Sequence, residues 1–390
     1  MKTYDAAVIG GGIIGGSIAF ELARHGLRVV LLDRQKPGRE ASWAAGGMLS
    51  PSPHLPEDVQ LVPFAKASST LYRGFISAVE TTTGKTTGYA SDGALELFLG
   101  SDAEEKRDQV AANISRLGIE ARAMSGDQAR RLEPELGPGV RAAVLLPDEA
   151  RVNVRELMDA VLRAAELHGA EIRAETEVVS ILKNGAGVEG VVVAPVASGC
   201  AKKAAIAPRE TILANHVVLA AGCFSAQVGS VENLVPTRPI RGQMLALAMG
   251  SHSLRHTVRC ELGYMVPWNN GRVIAGSTLE DAGFEKVVTP AGLRRILRAV
   301  SELAPAFDGA PVVETWSGLR PDTPDHLPLL GPTNIERLIV ATGHYRNGIL
   351  LAPGTATFVR EWITNGGRSS LPVEGFSPMR FLDEKRATSH

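Results

Sequence analysis

The chain is poor in cysteine. Cys200, Cys223 and Cys260 are widely spaced, with no C-x-x-C pair and no histidine cluster beside them. That pattern disfavours a disulfide framework, offers no zinc site and fits a reducing cytosol, so the expected location is cytoplasmic and no metal is expected. Also missing is any run of the ~18 apolar residues that a membrane-spanning helix needs. The opening "MKTYDAAVIGGG" lacks a cationic segment followed by an apolar stretch, so it does not read as a secretory leader. Nor is there an excess of one charge: 41 Lys+Arg balance 42 Asp+Glu, which argues against a nucleic acid or a membrane surface as partner.

What is plentiful is glycine, at 41 residues, a sign of tight turns or of backbone lying close to a ligand. A chain of 390 residues exceeds what one core usually serves, so two domains are expected. The first 33 residues read as a βαβ unit. "YDAAVIG" is a buried strand from Tyr4; Ile14, Ile18 and Leu22 recur at helical spacing; Gly26 stops the helix after His25; "LRVVLLD" is a second buried strand ending at Asp33. Apolar strands joined by a helix imply a parallel sheet covered on both faces.

Between them lies "GGGIIG", in which Gly10, Gly12 and Gly15 form G-x-G-x-x-G at the strand-to-helix turn. The glycines permit the turn, the approach of a pyrophosphate and close helix–strand packing, while the helix N-terminus offers free N–H groups to the anion. Asp33 ends the next strand, where an acidic side chain can accept hydrogen bonds from a ribose diol. It argues against NADP, but the motif alone does not choose between NAD and FAD.

Further along, residues 34–63 read as an ordered loop or short helix, 64–80 as helix, "ALELFL" as a strand and 102–117 as a charged helix. Val154, Leu157, Met158, Val161, Leu162 and Ala165 form a helical stripe. Glu171 to Lys183 reads as one strand, "GVEGVVV" as part of a hairpin, and "APVASGCAKKAAIAP" as a solvated loop that includes Lys202 and Lys203. Strands dominate 238–280, with a hairpin turn at Asn269-Asn270-Gly271. A helix follows near 290–303, then the strand "RLIVATG", then a last helix from about Asn347 to Thr364. Pro353 fits there only within the first turns. The expected fold is α/β: a Rossmann-like nucleotide-binding domain with a parallel sheet (1–85, 148–232, 318–390), interrupted by an antiparallel-sheet α+β substrate domain (86–147, 233–317).

Four segments carry a resemblance that goes beyond spacing: "ETILANHVVLAAG" with the turn Gly222-Cys223-Phe224-Ser225, "SWAAGGM" at 42–48, "GLRPDTPDHLPLLG" at 318–331, and "GHYRNGILLAP" at 343–353. In this order the chain resembles the D-amino acid oxidase family of FAD-dependent oxidoreductases, and within it the glycine-oxidising branch of the thiamine pathway. The resemblance implies FAD, a small amino acid or amine as substrate, hydride transfer from the substrate carbon, and reoxidation by oxygen to give glyoxylate, ammonia and hydrogen peroxide. It leaves open oxidation of sarcosine or D-amino acids, or a dehydrogenase that passes electrons to a quinone or partner chain. It also implies a homo-oligomer, such as a tetramer.

Residue by residue, the resemblance makes Arg320 of the "LRP" segment the carboxylate clamp, with Tyr264 of "YMVP" bonding the same carboxylate and Arg346 on the substrate side of the flavin. For the cofactor it implies Gly10, Gly12, Ile13, Ile14, Gly15, Asp33 and Arg34, then Ser42, Ala45, Gly46, Gly47 and Met48 along the flavin. Val178 meets the adenine portion and Gly222 opens its turn. Gly343, His344, Asn347, Gly348 and Ile349 wrap the flavin's pyrimidine end. Gly318 stands where relatives with covalent flavin carry a cysteine, so FAD is expected to be non-covalent. Trp43 is bulky in a segment of small residues and is expected to alter the pocket or its entrance. The plain alternatives are an ion pair of Arg320 with Asp322 or Asp325, a packing role for Tyr264 and His344, and a small core residue at Cys223.

Overall fold

The structure is a computed structural model and describes residues 3–53, 56–196, 208–231 and 234–381. Most of the 194–208 segment, with Cys200, Lys202 and Lys203, lies outside the described residues.

Two eight-stranded sheets organise the chain. In the first, strand Thr3–Ile9 pairs in parallel with Val29–Leu32 on one side and Glu210–Leu219 on the other. Leu338–Thr342 continues the parallel run beyond Glu210–Leu219. Both faces are buried, but by different means. Ala6, Val8, Val29 and Leu31 face the helices Ile13–Arg24, Val62–Thr83, Val154–Leu167 and Gly348–Thr364. Ala7, Ile9, Val30 and Leu32 pack against Val178, Val188 and Val191 of the antiparallel hairpin Thr176–Asn184/Gly187–Pro195. The all-apolar strand pattern is explained by this double cover.

The single strand expected over Glu171–Lys183 is two. Glu171–Arg173 pairs with Val29–Leu32, and the chain breaks at Glu175, which adopts φ 53°. The break returns the chain to Asp33, whose carbonyl accepts from the Thr176 N–H at 2.8 Å. Thr176 to Val178 are thereby set beside Asp33.

The second sheet runs Val312–Asp322, Arg238–Ala248, Arg272–Gly276, Gly263–Pro267, Thr257–Cys260, Ala94–Leu99, Val140–Leu146, Arg122–Ser125. It is antiparallel except where Thr257–Cys260 pairs in parallel with Ala94–Leu99. Strand Val312–Asp322 runs across residue 318, where the sequence reading divides the domains. Its end, carrying Arg320, therefore belongs to the second sheet.

The last helix begins where expected, at Gly348, with Asn347 as its N-cap. Pro353 is its sixth residue and cannot donate to the Ile349 carbonyl. Tyr72 Oη donates to that carbonyl instead, at 3.1 Å. Ser68 Oγ donates to the Leu350 carbonyl at 2.7 Å and accepts from the Gly354 N–H at 3.0 Å. Two buried hydroxyls from helix Val62–Thr83 thus repair the interrupted ladder. Among the described residues no helix is long and apolar enough to cross a membrane.

Candidate active site

A cavity of about 250 Å³ runs between the two sheets; the next, beside Ser50 and Asn347, is about 10 Å³. Every residue that the resemblance assigns to cofactor or substrate lines the large cavity except Gly15. A Cβ on Gly15 would stand 1.8 Å from the Gly10 carbonyl oxygen, so this glycine lets the helix cross the first strand. Gly10 has φ +101°, and a Cβ there would press on the backbone of Ala220 and Ala221.

At one end, the Asp33 carboxylate accepts from the Gly11 N–H at 2.7 Å and from the Gln35 N–H at 2.8 Å. Burial raises its pKa, while those two N–H groups oppose the rise. A carboxylate has about four acceptor positions, so capacity remains. The Arg34 guanidinium lies 3.6 Å from the centre of the Phe224 ring. Ser42 Oγ accepts from the Ile13 N–H at 2.9 Å and tethers the 42–48 segment to the first helix. Thr342 Oγ1 donates to the Gly222 carbonyl at 3.1 Å, joining two walls.

At the other end stand Arg320, Tyr264 and Arg346. Arg320 donates to Ser277 Oγ at 2.7 Å and to the Thr278 carbonyl at 3.2 Å. It does not pair with either neighbouring aspartate. Asp322 takes Arg238 at 2.9 Å and His326 at 2.6 Å, and Asp325 takes Arg380 at 2.7 Å. Among the described residues no carboxylate lies within ion-pair distance of Arg320 or Arg346. Burial lowers the pKa of Arg320, Tyr264 counteracts this, and the charge of Arg346 adds to the lowering. Guanidinium nonetheless remains charged at any working pH. Arg320 lies over Gly242 of the adjacent strand, where a Cβ would come within 2.3 Å of its Nη1. Tyr264 Oη donates to Met244 Sδ at 3.3 Å, and its ring lies against Gly46, where a Cβ would come within 2.9 Å. Tyr345 holds φ 46° and stacks on His326 with centroids 5.1 Å apart. This uncommon backbone turns the chain at the cavity mouth and leaves the next residue, Arg346, exposed there.

His344 is buried and shares a 3.0 Å hydrogen bond between Nε2 and Thr355 Oγ1. Burial pushes its pKa down to about 3, so it is neutral. Cys223 lines the wall with its thiol pushed up to about 12 by burial. Trp43 departs from expectation: it does not line the cavity but stacks its ring on the Arg155 guanidinium, 3.6 Å from centre to carbon. Thr176, Gly242, Met244 and Ser277 line the cavity and carry no local motif. Only the pairing of distant strands brings them in.

A family model described as "FAD dependent oxidoreductase" matches residues 5–362. The chain belongs to this family of FAD-dependent oxidoreductases. Its cofactor is FAD and its chemistry is oxidation of an amino acid or amine. This oxidoreductase is 30% identical to a glycine oxidase of Bacillus licheniformis over 385 residues, covering 97% of this chain and 98% of that one. It is 34% identical to a bifunctional protein ThiO/ThiG of Trichormus variabilis, covering 99% of this chain and 56% of that protein. The crystal structure of glycine oxidase from Geobacillus kaustophilus superposes with a TM-score of 0.88 at 29% identity, covering 97% of this chain and 99% of that one.

Proposed function

We propose that this oxidoreductase acts on a small amino acid, glycine first, with the substrate carboxylate held between Arg320, Tyr264 and Arg346. The observation that carries this reading is a pair of guanidiniums at one end of the cavity with no carboxylate partner among the described residues. For Arg320, withdrawn from solvent, such a charge is costly unless an anion arrives to meet it, while Arg346 stands exposed at the same end. Arg320 has five N–H groups and commits two to Ser277 and Thr278, so three remain. Two of these suffice for a bidentate carboxylate pair, which fixes the position and the plane of the substrate.

The cavity residues fit FAD. The helix start at Gly10, Gly12, Ile13 and Ile14 would hold the pyrophosphate; Asp33, Arg34 and Val178 would hold the adenosine end. Ser42, Ala45, Gly46, Gly47, Met48 and Gly222, with Gly343, His344, Asn347, Gly348 and Ile349, would surround the ring system. Gly15 serves by allowing the helix its approach. In this reading the first sheet is the nucleotide-binding domain, the second is the substrate domain, and Arg320 reaches across from the second. FAD is non-covalent: residue 318 has no nucleophile, a Cβ there would stand 2.4 Å from Ala44 Cβ, and the Cys223 thiol is protonated.

When bound, FAD supplies a two-electron acceptor. The protein's own task is orientation and exclusion of water. With the amine neutral, its lone pair can expel a hydride, so no side chain need take a carbon-bound proton. This agrees with His344, the histidine of the cavity wall, being already bonded to Thr355 through Nε2. The net reaction for glycine is glycine + O₂ + H₂O → glyoxylate + NH₃ + H₂O₂. The test is peroxide release in air from a panel of glycine, sarcosine and D-amino acids. Glycine is expected to give the highest kcat/KM. Consumption of glycine with an added quinone but no peroxide in air would instead make the protein a dehydrogenase.

A further inference from the structure

The segment Ser42–Met48 lines the cavity and is gripped from behind by two indoles. Trp316 Nε1 donates to the Ala44 carbonyl at 3.1 Å, and Trp268 Nε1 donates to the Gly46 carbonyl at 2.9 Å. The Gly47 carbonyl accepts from the Val152 N–H at 2.9 Å. Both indoles are buried, where their N–H groups need acceptors. Arg155 is lodged among the rings, its guanidinium carbon 3.6 Å from the centre of Trp43, 4.7 Å from Trp316 and 5.6 Å from Trp268. Glu314 holds that guanidinium in a bidentate pair at 2.8 and 3.1 Å. Trp43 itself meets Trp316 edge-on, with centroids 6.0 Å apart. The cage therefore takes hold of one side chain and two carbonyls within a single short segment.

Peptide geometry turns this grip into a direction. In a planar trans peptide the C=O and the following N–H point opposite ways. Among the described residues the cis bond is at Gly276–Ser277, so the peptides of this segment are trans. Carbonyls of Ala44 and Gly46 drawn back to the tryptophans turn the N–H groups of Ala45 and Gly47 toward the cavity. Neither N–H meets a protein acceptor among the described residues.

We propose that Trp268 and Trp316 are positioning residues for the cofactor. By anchoring the Ala44 and Gly46 carbonyls they aim the Ala45 and Gly47 N–H groups at the ring nitrogens and carbonyl oxygens of FAD. The inference rests on the reading that the FAD ring system lies along Ser42–Met48. Donors held in place beforehand need no reorganisation when the acceptor arrives. The Arg155–Glu314 pair keeps the rings from rotating away.

The test uses Trp268→Phe and Trp316→Phe, which remove the indole donors and keep most of the packing. Trp362→Phe is the control: it packs on Phe358, outside the cavity. Three quantities are measured: FAD dissociation constant, position and fine structure of the flavin visible band, and flavin midpoint potential. Each of the first two variants is expected to bind FAD about 3- to 10-fold more weakly, the scale of one hydrogen bond. Each should also shift the band and the potential relative to the control. Normal FAD affinity, band and potential in both variants overturn the proposal. If a Phe variant does not fold, indole hydrogen exchange in the wild-type protein decides. Trp268 and Trp316 should exchange more slowly than Trp362 with or without FAD; equal rates overturn it. Failure of the wild-type protein to bind FAD at all is a different result and sinks the underlying reading instead.

Discussion

Truncating Arg320 to alanine probes the proposed carboxylate clamp directly. The guanidinium is partly buried, spends two N–H groups on Ser277 and Thr278, and has no carboxylate partner among the described residues. Removing one member of such a desolvated charged pair costs about 2–5 kcal/mol. At 1.36 kcal/mol per decade this is roughly 30- to 5,000-fold in kcat/KM. Arg346 remains to attract the anion, so the lower half of that range is expected, about 100-fold, carried mainly by KM. Arg320→Lys keeps the charge and loses the fork, and should fall between the wild type and the alanine variant. The assay is steady-state kinetics with glycine, alongside the FAD dissociation constant, which should not move. A near-normal KM for Arg320→Ala would refute the clamp, whatever the activity of the wild type.

Three further outcomes follow from the same geometry. Gly242→Ala puts a Cβ within 2.3 Å of Arg320 Nη1, so it should displace the guanidinium and raise KM with FAD binding intact; unchanged kinetics would show that Arg320 has another productive position. Ser68→Ala leaves the Leu350 carbonyl and the Gly354 N–H without their bridge and should destabilise the protein by about 1–3 kcal/mol in denaturant unfolding. His344 is neutral in the native protein down to about pH 3, whereas in the unfolded chain it takes up a proton near its ordinary 6.5. The unfolded state then binds more protons as pH falls, so this contribution is full above about 6.5 and is lost progressively toward 3. Comparing unfolding midpoints at about pH 8 and about pH 5 should show a smaller acid loss in His344→Gln than in the wild type; equal losses would remove His344 from the account.

What the sequence makes legible is whatever depends on neighbours along the chain. The strand, glycine turn, helix and Asp33 of the first unit all lie within 33 residues, and each is where local pattern puts it. The three lone polar residues Arg320, Tyr264 and Arg346 were readable through resemblance of their motifs, and they do converge on one end of the cavity. Gly242 and Ser277 were not. Gly242 matters because Arg320, on the paired strand, lies over it; Ser277 because it receives an Arg320 N–H. Neither fact exists until segments 78 residues apart (242 and 320) and 43 residues apart (277 and 320) are brought together. The break at Glu175 was hidden for another reason: both flanking stretches have strand composition, and only the return to the Asp33 carbonyl separates them. The role of Trp43 was not legible because its partner, Arg155, lies more than a hundred residues away.

The central claim is that this FAD enzyme takes its electrons from a small amino acid anchored by two arginines. It is tested most directly by adding glycine to the FAD-loaded protein without oxygen and following the flavin's visible absorbance. Saturable bleaching is expected with glycine, lost or shifted to far higher concentration in Arg320→Ala. A flavin that stays oxidised with glycine, sarcosine and D-amino acids alike would contradict it.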